Sequence, residues 1–199
     1  HNMVAEKQFR NPTEYGSPKP KSTTFTATGA VSLLLTSEKS DIKVESATIG
    51  KVTDLGIADV NNMGAIMAPG AASVIKNHLD DLNRSADYYD LIITGDLGIY
   101  GKEILTEYMK TSYNIDISKN YDDSGTMLYD LEKEKNVHAG GSGPVCSALI
   151  DFGYIYKLMK EKKLKKVLIV PTGAIFSPTM VFQRQTIPSI AHAISLEAI

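Results

Sequence analysis

The segment that most narrows the fold is residues 90–94, Asp-Leu-Ile-Ile-Thr, stopped by Gly95. A run this short and this apolar, closed by a glycine, fits a strand buried on both faces. Residues 167–170, Val-Leu-Ile-Val, repeat the pattern. Such strands need cover on either side, and the rest of the chain supplies it as amphipathic stretches. Ala71, Val74, Ile75, Leu79 and Leu82 share one helical face, with Pro69 suited to a first helical turn, where its missing N–H costs little. Ile104, Leu105, Tyr108 and Met109 mark a second helix over 101–112. Val145, Ala148, Leu149, Phe152 and Met159 mark a third, opened by the turn at 140–144. Short apolar strands alternating with helices predict an α/β fold.

The remaining segments fill in around this alternation. Residues 25–36 and 42–52 read as strands, 126–131 as a short one, and 190–196 as the last, paired with 167–170. Residues 54–62 and 114–125 read as loops. Pro12, Gly16, Pro18 and Pro20 forbid a long helix at the start. The first 40 or so residues stand outside the α/β alternation and read as the end of a different unit.

Charge and cysteine usage remove whole classes of function. Lys and Arg number 21 against 23 Asp and Glu, a formal net charge of −2, which argues against a dedicated nucleic-acid binder. A single cysteine forms no internal disulfide. No apolar run approaches the ~18 residues of a spanning helix, and the first twenty residues carry no apolar leader core. Any membrane link is expected to be peripheral or through partners.

Several constellations bear on chemistry. Gly140-Gly141-Ser142-Gly143 before a helix start has the makings of an anion cradle, because glycines let backbone N–H groups face a ligand; on the pattern alone a tight structural turn is the commoner explanation. It is no Walker loop, and Pro144 spoils a nucleophile elbow. Asp96 follows the strand at 90–94, where ligands collect in open α/β sheets; the same holds for Thr172-Gly173-Ala174. Cys146, in the first turn of the third helix, reads as a small buried hydrophobe. His1, His78, His138 and His192 show no metal-ligand spacing; His78 is expected at a surface rim, His138 facing a site and His192 in a structural role. Asp122-Asp123 reads as a turn rather than a metal site. The lysines at 160–166 read as a solvated helix end, with a lipid or nucleic-acid patch as the alternative.

Together these residues resemble a known family. Glu6-Lys7-Gln8-Phe9-Arg10 with Pro12-Thr13-Glu14-Tyr15-Gly16, residues 50–57 (GKVTDLGI), Met67-Ala68-Pro69, residues 89–97 (YDLIITGDL), and the 139–143 turn with Cys146-Ser147-Ala148 are similar to the SpoVAD family of sporulation proteins. Thr172-Gly173-Ala174 with Ser177-Pro178, and Ile187-Pro188 with Ile190-Ala191-His192, extend the likeness in collinear order over nearly all of the chain. The resemblance implies a thiolase-like fold of two similar α/β halves stacked in five layers. Residues 1–40 are then the end of the first half. Residues 41–199 are the second half, a mixed five-stranded sheet with helices on both faces. His1-Asn2 is then native, and the rest of the first half lies outside this chain.

The resemblance also implies a function: non-enzymatic binding of dipicolinic acid, free or as its calcium salt, and help with its uptake into the developing spore. The location implied is cytoplasmic and peripheral to the inner membrane of the forespore. The partners implied are other SpoVA membrane proteins and either the missing N-terminal half or a second copy in a homodimer. No nucleic acid, cofactor or resident metal is expected. Dipicolinate is a flat dianion, so its pocket needs N–H and O–H donors aimed at two carboxylates and a slot for the ring. The implied ligand-binding residues are His1, Gly95, Asp96, Gly140, Gly141 and Ser142. In related condensing enzymes an imidazole stands where this chain has Gly95 and a carboxamide near Gly140-Gly141, so no catalytic residue is expected. Two rival classes remain: an acyl-transferring relative using Cys146 or Ser142, and a scaffold that docks membrane partners.

Overall fold

The computed structural model describes residues 20–135, 137–174 and 177–199. Phe25–Thr26 forms β1 and Ile42–Thr48 forms β2. Helix α1 spans Met63–Asp81, and a 3₁₀ turn at Ala86–Tyr88 leads into β3, Leu91–Thr94. Helix α2, Gly98–Tyr113, precedes β4 (Tyr121–Asp123), the single-turn α3 (Ser124–Met127) and β5 (Gly141–Ser142). A helical segment over 146–160 comprises α4 (Cys146–Leu149), a π-helical stretch (Ile150–Ile155) and α5 (Tyr156–Lys160). Strands β6 (Lys166–Val170) and β7 (Thr172–Ala174), the short α6 (Pro178–Phe182), and β8 (Ser189–Ala191) and β9 (Ala193–Ala198) complete the order.

Five strands form one sheet in the order β2-β9-β6-β3-β4. Strands β4, β3 and β6 run parallel, while β9 and β2 are antiparallel to their neighbours, so the sheet is mixed. Register divides its residues between two layers. Ile92 pairs with Leu168, and both join Val74, Ile75, Leu105 and Met109 under α1 and α2. Ile93 pairs with Ile169, and both join Ile150, Ile155 and Met159 of the 146–160 helical segment. Helices thus cover both faces, as the apolar runs predict. Helices α1 and α2 cross backbone to backbone: a Cβ built on Gly64 would lie 2.9 Å from the Cα of Gly101, so neither position takes a larger residue without parting the helices.

Several local expectations are corrected. Helix α1 begins at Met63, capped by Asn62, whose side chain accepts the Ala65 N–H; Pro69 lies inside the helix rather than in its first turn. The wall formed by α1, α2 and β8 outweighs the hydrogen bond Pro69 cannot make, because Ala68, Ala71 and Ala72 are fully buried. Residues 126–131 hold no strand; Ser124–Met127 is helical, and β4 lies within the expected loop at 114–125. The long strand expected at 25–36 shrinks to Phe25–Thr26, paired in parallel with Gly141–Ser142. The last strand divides at His192: β8 pairs with β7, and β9 pairs with β6 and β2.

His78 is also corrected. It is fully buried, with Nε2 bonded to the Tyr89 hydroxyl at 2.7 Å and Nδ1 to Thr48 Oγ1 at 2.8 Å. The helix face that carries it turns toward β2 instead of solvent, and burial holds its pKa below the ordinary histidine value.

Candidate functional site

Parallel strands β3 and β6 end side by side, Thr94 opposite Val170, so the loops that follow them emerge together. Asp96 sits in the first of these loops. Its carboxylate accepts the Gly143 N–H at 3.2 Å and the Thr172 hydroxyl at 3.1 Å. One side chain therefore draws three predicted elements together: the loop after β3, the glycine turn and the start of β7. Gly95 lies against the same corner, where a Cβ would come within 3.2 Å of the Thr172 backbone nitrogen.

The glycine turn is a built feature. Gly140 and Gly143 adopt positive φ of 107° and 97°, a region that side-chain-bearing residues rarely enter. Backbone bonds tie the turn to β1: Phe25 N–H donates to Gly140 O and Ala27 N–H to Ser142 O, each at 2.8 Å. Gly140, Gly141 and Ser142 are buried, and the Ser142 hydroxyl accepts from Thr24 Oγ1 at 2.7 Å. Gly143 is half-buried and Pro144 exposed, so the turn meets solvent at its far end. Of the predicted residues, Asp96 meets the turn at Gly143, Gly95 lies against Thr172 and Pro171, and Ser142 faces inward onto Thr24. His1 lies outside the described residues. His138 is exposed next to the turn, and His192 accepts the Gly50 N–H at 3.1 Å from the other side of the sheet's end. A groove of about 480 Å³ lined by Ile99, Lys102, Glu103, Thr106, Glu107 and Thr126 runs along α2 and holds none of the predicted residues.

Asp123 is the residue that sequence reasoning missed. It was expected in a simple turn. Instead its fully buried carboxylate accepts four hydrogen bonds: from the Thr94 hydroxyl at 2.6 Å, and from the N–H groups of Leu97, Gly98 and Gly125 at 3.0, 2.9 and 3.0 Å. It bolts the Asp96 loop to the start of α3. Burial pushes its carboxyl up to about 7, against the pull of those donors. Asp151, at the head of the π-helical stretch, is likewise pushed up to about 7 by burial, with Ser147 and Ser124 donating to it. The available signal was the Asp-Ser-Gly sequence itself, an N-cap residue type that Asp123 fulfils through the Gly125 N–H.

Cys146 lies beneath the turn, fully buried, as its residue type suggested. Burial, reinforced by the charges of Asp96, Asp123 and Asp151, raises its thiol pKa far above the ordinary value. The thiol stays protonated at neutral pH. Among the described residues no cluster of three or more His, Cys, Asp or Glu is arranged to hold a metal ion. No helix among them is long and apolar enough to cross a membrane.

Comparison with known proteins bears on this arrangement. The sequence model of the family described as Stage V sporulation protein AD (SpoVAD) matches residues 1–197. The Bacillus subtilis (strain 168) protein of that description is 47% identical over 197 residues, 99% of this chain. The chain spans 57% of that relative's length. Among solved structures, Xanthomonas campestris OleA matches at 8% identity and TM-score 0.44, covering 80% of this chain and 58% of its own. The 3-oxoacyl-[acyl-carrier-protein] synthase III of Aquifex aeolicus matches at 12% identity and TM-score 0.41, covering 81% and 46%.

Proposed function

The chain belongs to the stage V sporulation protein AD family, and on that premise we propose that it binds dipicolinic acid without catalysing a reaction and assists its uptake into the developing spore. The observation that carries the reading is the junction at Asp96, where backbone and hydroxyl donors from the glycine turn and from Thr172 converge at the carboxyl ends of β3 and β6. These are the donor types a flat dicarboxylate needs.

Asp96 sharpens the chemistry. Its carboxylate already accepts from the Gly143 N–H and the Thr172 hydroxyl, so a dicarboxylate entering here shares or displaces these donors. The cargo on this reading is dipicolinic acid, free or as its calcium salt. Cys146 supports the non-enzymatic reading: a buried, protonated thiol among three carboxylates is a poor nucleophile. Gly95, Gly140 and Gly141 offer no imidazole or carboxamide at the positions where related condensing enzymes carry them.

A second observation supports the docking of a further domain or copy. Leu34, Leu35 and Ile49 are 90%, 82% and 89% exposed, in an extended segment after β1 and at the end of β2. Apolar side chains this open fit surfaces covered by the rest of a two-half protein or by a second copy. On this reading residues 1–40 close a first half and 41–199 form the second.

The test is calorimetric titration of the full-length protein with dipicolinate, with calcium dipicolinate and with an acyl-CoA. The expected result is heat from dipicolinate or its calcium salt and none from acyl-CoA, with Asp96→Ala lowering affinity for whichever form binds at least tenfold. Unchanged affinity in Asp96→Ala moves the site elsewhere, and acyl-CoA binding overturns the reading.

A further inference from the structure

The sequence carries one feature that a small-molecule site does not absorb: six lysines and one glutamate within residues 157–166 of a chain whose formal net charge is −2. The structure divides these lysines by role. Lys166 is drawn into an ion network with Glu45 and Glu197 at 3.5 and 3.4 Å. Lys160 pairs with Asp41, and Lys163 with the neighbouring Glu161. Lys157, Lys162 and Lys165 are exposed and make no ion-pair contact within 4.0 Å among the described residues, with Lys162 in electrostatic range of Asp41 and Lys157 of Glu161. Asp90, the remaining acid at this corner, spends its carboxylate on the backbone N–H groups of Lys165 and Lys166 at 2.7 and 2.9 Å.

Two tyrosines complete the surface. Tyr154 is 50% exposed and Tyr156 is also exposed, both on the last turns of the same helical segment. Each phenol lies within electrostatic range of a lysine, Tyr154 of Lys163 and Tyr156 of Lys160. Beneath them Leu158 and Leu164 pack into the core with Met159, so the helix end is held firmly while its cations project.

We propose that this helix end, with Lys157, Lys162 and Lys165 flanked by Tyr154 and Tyr156, is a docking patch for an anionic lipid surface. Composition separates this partner from others. Every cation in the patch is lysine, and lysine is depleted from protein–protein interfaces, where arginine is enriched. Nucleic-acid recognition favours arginine forks and a basic domain, and this chain is slightly acidic. A headgroup layer asks less of geometry: it is a sheet of negative charge that flexible point cations satisfy, each contributing about fivefold in affinity. Tyrosine rings, apolar in body and polar at the tip, sit at the headgroup level.

The experiment is co-sedimentation of the full-length protein with vesicles of phosphatidylcholine alone or mixed equally with phosphatidylglycerol. Binding is expected to the mixed vesicles only, weakening as salt rises from about 50 to about 300 mM. Replacing Lys157, Lys162 and Lys165 together by glutamate should lower it at least a hundredfold, three cations at about fivefold each. Replacing the same three by arginine should preserve it, which separates charge from fold. Equal binding to neutral vesicles, no binding to the mixed ones, or an unaffected glutamate variant overturns the proposal. Equally tight binding of polyglutamate or duplex DNA to the patch overturns the lipid assignment.

Discussion

The two ends of the β3–β6 strand pair both bury acids, and they treat them in opposite ways. At the amino end, Glu45 meets cations. Arg84 grips it with two hydrogen bonds of 3.0 Å, Ser195 donates at 3.1 Å, Tyr88 donates as well, and the rings and charges of Tyr88, Arg84 and Lys166 stack together. Burial alone would raise the Glu45 pKa, but the hydrogen bonds from Tyr88 and Ser195 and the charges of Arg84 and Lys166 hold it below the ordinary range. At the carboxyl end, Asp123 and Asp151 meet only hydroxyls and backbone N–H groups, and both are pushed up to about 7. Charge is neutralised at one end and left uncompensated at the other. The first is a clamp that ties β2 and β9 to the end of α1; the second holds Asp123 and Asp151 by hydrogen bonds from hydroxyls and backbone N–H groups.

The sharpest way to break this comparison is Asp123→Asn. The carboxylate accepts two donors on each oxygen, and an amide nitrogen would face two of them with its own protons. With buried donors left unsatisfied, about 3–4 kcal/mol of stability should disappear, read as a lowered urea midpoint. A loss under about 1 kcal/mol would mean that the site loop does not depend on this bolt.

Arg84→Met tests the other end. It leaves Glu45 half-buried beside Lys166, Tyr88 and Ser195 but without its bidentate partner, and about 2 kcal/mol should be lost. If the Arg84 variant proves less costly than any surface substitution, the amino end is no clamp.

Asp151→Asn carries the smallest loss and the clearest sign. The folded pKa of Asp151 is raised, so its contribution is complete below the unfolded value of about 4 and lost as pH rises through about 7. Ser124 and Ser147 can turn their hydroxyls to suit an amide. The variant should therefore match the parent within about 0.5 kcal/mol near pH 4, pull ahead as pH rises toward about 7, and keep that advantage at pH 8–9. Parallel stability curves for parent and variant across that window would show that Asp151 does not titrate there.

How much was legible from the residues follows the range of the forces involved. The strands at 90–94 and 167–170 could be read because double burial leaves an uninterrupted apolar run, and the buried state of Cys146 followed from its type. Asp123 could not be read as a bolt: its four donors come from Thr94, from Leu97 and Gly98, and from Gly125, and nothing in the Asp-Asp-Ser-Gly sequence says which of them will arrive. His78 was misjudged for a related reason. Its helical face is apolar enough to bury, but the hydroxyls of Thr48 and Tyr89 that make burial tolerable come from β2 and from the end of the 3₁₀ turn. The strand expected over 25–36 had the right residue types, yet its backbone pairing with β5 stops at Ala27, whose N–H donates to Ser142 O.

Residue order alone was enough to set the layer scheme, the covered faces of the sheet, the place of the glycine turn and the lysine-rich helix end. These rest on hydrophobic periodicity and backbone freedom, which act within a few residues. Which acids are neutralised and which stay unpaired was decided only on folding. Coulomb attraction and desolvation depend on what lies within a few ångströms in space, and Arg84 reaches Glu45 across 39 positions of chain while Asp96 reaches Gly143 across 47.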